Sequence, residues 1–94
     1  MTLEQEQRRG EQARRLLDEP LIVEAFTEVE TALRRQWEAS GEGDVEARER
    51  LWLMLKLLRR VHGRLAEAME TGRLAETQLA AIAADRDSEQ SSKE

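Results

Sequence analysis

Between Leu51 and Leu58 the chain reads LWLMLKLL, and Lys56 is the one polar position in that run. Spaced at about 100° per residue, Leu51, Met54, Leu58, Val61, Leu65 and Ala68 fall into a continuous a/d seam. Trp52, Leu55, His62, Ala66 and Met69 line the flank beside it. The spacing predicts a buried helix over 44–71. Leu53 and Leu57 lie outside both stripes, so the first half of this helix is apolar nearly all round and needs cover on every side. Its second half is amphipathic, with Lys56, Arg60, Arg64 and Glu67 turned to solvent.

Upstream, Ile22, Phe26, Val29, Leu33 and Trp37 recur at steps of three and four, with Ala25, Ala32 and Ala39 beside them. That pattern predicts a helix over 20–39. Asp18-Glu19-Pro20 marks its start, because proline is tolerated in a first helical turn where its missing N–H would have been unpaired anyway. Ser40-Gly41-Glu42-Gly43 ends it, and Asp44 is placed to cap the next helix, with Glu46 in the first turn. So short a connection makes the two helices an antiparallel hairpin. Folding about it sets Leu33 on Leu51, Val29 on Met54 or Leu55, Phe26 on Leu58, and Ile22 on Val61 or His62. Gly63 stands inside the second arm at a cost of about 1 kcal/mol against alanine, and close approach of a neighbouring helix is its expected reason.

The flanks read as shorter pieces. Thr2 and Gln5 have capping-box spacing, but Ala13 is the only apolar residue between Leu3 and Leu16, and Gly10 interrupts the segment. Residues 1–10 are therefore expected to fray, and a first helix to be firm over 11–18. Thr71-Gly72 reads as a helix stop, followed by a short helix over 74–84 with Leu74, Ala75, Leu79, Ile82 and Ala83 on its apolar side. From Asp85 the sequence DRDSEQSSKE is polar and aperiodic, which reads as a disordered tail over 85–94. The fold class is all-α: one helical domain over 1–84, a hairpin with two short flanking helices, in an oligomeric helical bundle.

The oligomer is expected from size and reach. A chain of 94 residues buries only about 60–65% of its unfolded surface. A helix over 74–84, at about 1.5 Å per residue, reaches back roughly 17 Å along the hairpin and falls short of Trp52. Trp37, Trp52, Leu53 and Leu55 would then form an uncovered apolar patch at the turn end, and these four are the expected oligomer interface.

Candidate chemistry is sparse. The chain has no cysteine, which excludes disulfides and thiolate sites and points to the cytoplasm. No apolar run suits a signal peptide or a membrane span. His62 has Arg59 and Ala66 at the positions where a helical metal site needs further ligands. Serines occur only in the turn and the tail, and no glycine-rich phosphate loop is present. No catalytic residue, metal, cofactor or small-molecule substrate is expected. A net charge of −5 argues against a surface built wholly for nucleic acid. Lys56, Arg59, Arg60, Arg64 and Arg73 form a local basic cluster, the candidate anion contacts. A solvated face is the favoured reading of it, and of Arg8, Arg9, Arg14 and Arg15 near the N-terminus.

The segments LLDEPLIVEAF and LRRQW, then EARERLWLMLKLLRRVHGRL, then ETGRLA, resemble short helical proteins encoded among the structural and packaging genes of tailed phages and prophages. The likeness covers Leu16 to about Ala84 and carries no functional motif. It implies a particle-assembly or DNA-packaging accessory protein, one variety being a ring like the small terminase that handles DNA. The expected function is a non-enzymatic, self-associating adaptor whose partners are itself and another protein. The alternative is a nucleic-acid-binding protein using the arginine face of the third helix.

Overall fold

The computed structural model describes the backbone of residues 1–92 and the side chains of residues 1–89. Three helices occupy it: α1, Leu3–Asp18; α2, Pro20–Ala39; and α3, Val45–Ser92. The protein is all-α, with no strand among the described residues. The local signals act where the sequence placed them. Gln5 N–H donates to Thr2 Oγ1 at 3.2 Å and Thr2 N–H to Gln5 Oε1 at 2.9 Å, closing the capping box. Pro20 opens α2 after an extended Glu19 at φ −67°, ψ 119°. The Ser40 hydroxyl donates to the Trp37 carbonyl at 2.6 Å, and the Asp44 carboxylate accepts from Ala47 N–H at 3.3 Å to start α3.

Three expectations about the flanks are corrected. Helix α1 begins at Leu3, not near residue 11. No stop occurs at Thr71-Gly72 and no separate helix occupies 74–84, because α3 runs unbroken for 48 residues. Residues 85–92 are helical rather than a disordered tail, and the part of that expectation on 93–94 lies outside the described residues. The cause is a seam that continues. Leu65, Ala68, Gly72, Ala75 and Leu79 keep the alternating steps of three and four. Gly72 sits at a seam position, and no glycine has a positive φ that would end a helix. Once a helix is nucleated, each further residue adds a hydrogen bond at low cost, which carries the polar stretch after Asp85 along with it.

The chain divides into two compact units, Met1–Arg15 with the chain from Ala66 on, and Leu16–Leu65. In the first, α1 runs antiparallel to the later part of α3 and crosses it at two glycines. A Cβ placed on Gly10 would lie 2.6 Å from Gly72 Cα and 3.0 Å from the Ala68 carbonyl oxygen. One placed on Gly72 would lie 2.6 Å from Gly10 Cα and 2.9 Å from the Glu6 carbonyl oxygen. Both glycines are buried, and Ala13 and Ala75 beside them are only 3% and 2% exposed. Small side chains let the two backbones touch, so the glycine that seemed to interrupt α1 is what docks it. The early turns stay helical for the same reason.

The second unit is the antiparallel hairpin of α2 with the first part of α3. Leu33, 7% exposed, is its one buried side chain. Ile22, Phe26 and Glu30 on α2 are half-buried, as are Leu51, Leu55 and Leu58 on α3. Phe26 meets His62 edge to face, with ring centroids 5.4 Å apart. The seam is therefore rotated from the expected one. Val29 is 47% exposed and Met54 and Val61 are each 49% exposed, while Glu30 and Leu55 take the inner positions. Both helices carry apolar residues on two adjacent stripes, and one neighbour can cover only one of them. Gly63 is corrected too: a Cβ there would meet nothing within 4 Å, so no helix approaches it.

Two glycine substitutions on one helix should act in opposite directions. Gly72→Ala forces backbone apart at the α1 crossing and should destabilise by about 1–3 kcal/mol in a denaturant titration followed by circular dichroism. Gly63→Ala, made in open space, should stabilise by about 0.5–1 kcal/mol. Equal effects at the two sites would mean that the crossing is misplaced. In the hairpin, Leu33→Ala should cost about 2–4 kcal/mol, the range for emptying a buried leucine site; a loss under about 1 kcal/mol would show a different seam.

Candidate functional site

The candidate surfaces lie on the two flanks of the hairpin seam. On one flank, Trp37 and Trp52 line a groove with Leu33, Arg34, Leu51 and Leu55. The geometry follows from the turn, which sets the last turn of α2 beside the first turns of α3. Each indole carries a cation on its face: Arg48 lies 4.1 Å from the Trp37 ring centroid, and Lys56 lies 4.4 Å from that of Trp52. Trp37 is 43% and Trp52 50% exposed, whereas Leu55 is half-buried at the floor of the groove. Leu53 is 53% exposed but turns about 100° away from Trp52 around the helix. Three of the four expected interface residues are thus brought together, and Leu53 is not one of them.

Further along the same flank, Leu17, Phe26, Thr27, Leu58, His62 and Gly63 border a second groove. The Glu30 carboxylate spans its edge, accepting from Arg34 at 2.9 Å and from Arg59 at 3.5 Å. The helical turn from Arg59 explains the split of the basic cluster. Lys56, Arg60 and Arg64 follow one another at steps of four and form a stripe, while Arg59 faces α2. Lys56 is already stacked on Trp52, and Arg64 also has an interaction within the chain.

Arg73 belongs to the other unit and is taken up locally. Its guanidinium donates to both Glu70 oxygens, with Nη2 to Oε1 at 2.6 Å and Nε to Oε2 at 3.1 Å. Those hydrogen bonds hold the Glu70 carboxyl below its ordinary value, and the same contact raises Arg73. Both groups are solvent-exposed, so the pair orders a surface and adds little stability.

Among the described residues no group of three His, Asp or Glu side chains could hold a metal ion. Among the same residues no helix is long and apolar enough to cross a membrane.

The opposite flank was not singled out by sequence reasoning. Val29 on α2 and Met54, Leu57 and Val61 on α3 stand between 47% and 61% exposed there. The signal existed, since Leu57 lies outside both expected stripes and Ala25 and Ala32 sit beside Val29 at a seven-residue spacing. Assigning Val29, Met54 and Val61 to the seam hid it. No family model, no curated protein and no solved structure matches this chain.

Proposed function

We propose that this chain is a non-enzymatic helical protein that associates with copies of itself and serves as an adaptor or assembly factor for another protein. The observation that carries the reading is the apolar surface the chain leaves uncovered. Within the hairpin, large apolar side chains stand half or more exposed, including Leu57 at 61%, Leu53 at 53% and Trp52 at 50%, more than a lone hairpin in water leaves uncovered without a partner. Trp37, Trp52 and Leu53, expected from the sequence as the oligomer interface, are on this reading candidates for the contact with the other protein, with Leu55 supporting the indoles from below. The resemblance of residues 16–84 to helical proteins of phage structural and packaging genes supports an assembly or packaging setting, in the host cytoplasm or the particle.

The second reading is nucleic-acid binding through Lys56, Arg60 and Arg64, and it is favoured by their spacing along one stripe. Against it stand the net charge of −5 and the capture of Arg59 and Arg73 by Glu30 and Glu70.

Light scattering coupled to size-exclusion chromatography should give the mass of two or more chains at micromolar concentration. A mass of one chain there would remove the self-association reading. Mixed with duplex DNA at physiological salt, the protein should show no retention. Robust retention that falls steeply as salt rises would put the nucleic-acid reading first.

A further inference from the structure

Glu30 and Arg59 bond across one flank of the hairpin seam, so the opposite flanks of α2 and α3 come together on the other side. That face presents Ala25, Val29 and Ala32 from α2 beside Met54, Leu57 and Val61 from α3, all exposed. The geometry points to this face, and not the tryptophan groove, as the surface on which a second copy docks. Two hairpins would be related by a twofold axis parallel to the helices, with α2 of each against α3 of the other in a four-helix bundle. The inference rests on the self-association proposed above and names where it occurs.

Size and charge both favour that pairing. A rotation about an axis parallel to the helices leaves every residue at its own height. Phe26 against His62 and Glu30 against Arg59 fix the heights within one hairpin. Counting along both helices from these contacts puts Ala32 level with Leu57, and Val29 between Leu57 and Val61. The small residues of α2 therefore meet the large ones of α3. The same count puts Glu28 level with Arg60 and Glu24 level with Arg64, outside the apolar stripe on each helix. Within the described chain neither Glu28 nor Arg60 makes an ion pair. In the pair of hairpins an acidic row on each α2 borders a basic row on the partner's α3, twice over by symmetry, which is what selects this orientation. Around the tryptophan groove the charges are Glu38 with Arg34, Arg48 and Lys56, and all three cations are already engaged within the chain, Arg34 by Glu30 and the other two by the indoles.

The chain has no cysteine of its own, so introduced thiols report contacts cleanly. Ala32→Cys and Leu57→Cys chains, mixed and oxidised, should form a mixed disulfide dimer that neither variant forms alone. Cross-linking of Leu57→Cys with itself would instead indicate a twofold axis across the helices and overturn the orientation. Leu57→Glu should reduce the mass in light scattering to that of one chain with helicity retained, and Trp52→Glu should leave the mass unchanged. Arg60→Glu should weaken association, and adding Glu28→Arg to it should restore association, a rescue that misfolding would not give. If Trp52→Glu dissociates the protein and Leu57→Glu does not, self-association stands and this face is wrong. If the unaltered protein is one chain in solution, both fall.

Discussion

An α-helix apolar on more than one stripe cannot be satisfied by one neighbour, and that constraint runs through this molecule. Helix α3 carries its heptad from Leu51 to Leu79 without a break, and every packed position of α1 and α2 is defined against some part of it. Along the hairpin the line in contact with α2 follows Leu51, Leu55, Leu58 and His62. In the other unit the line in contact with α1 follows Ala68, Gly72 and Ala75. Off those lines in the hairpin, Leu53, Met54, Leu57 and Val61 are apolar and uncovered.

The two units reach stability by different means. Around Gly10 and Gly72 the helices are close enough for backbone to meet backbone, so contact is made by many weak attractions between small groups and by little side-chain area. In the hairpin the contact is made by larger side chains that are mostly half-buried, with Leu33 the one that is buried. Most charged groups lie at the edges of these contacts, with Glu30 half-buried at an inner position of the hairpin. Arg34, Arg59 and Arg73 are each bonded to a carboxylate, and Arg48 and Lys56 are laid on indole faces. Around Trp37 and Trp52 cations therefore cover part of the indole faces, whereas no cation is stacked on Val29 or Leu57 among the described residues.

Local chemistry made much of this legible in the residues themselves. The all-α class, the break at Glu19-Pro20, the capping box at Thr2 and Gln5, the turn at Ser40–Asp44 and the antiparallel hairpin all depend on groups within a few residues of one another. The indoles are exposed as expected, but the expected reason, a short helix over 74–84 that falls short of them, does not hold, because α3 runs on unbroken through that segment. What the sequence could not determine is which of two adjacent apolar stripes faces the partner helix, since Val29 and Glu30, or Met54 and Leu55, differ by one position and a rotation of about 100°. Nor could it assign its glycines. Gly10, Gly63 and Gly72 share one side chain and one helical backbone. Only the tertiary structure separates the two that sit in backbone contact from the one that faces open space, because a glycine's role is set by what approaches it and not by its neighbours in the chain.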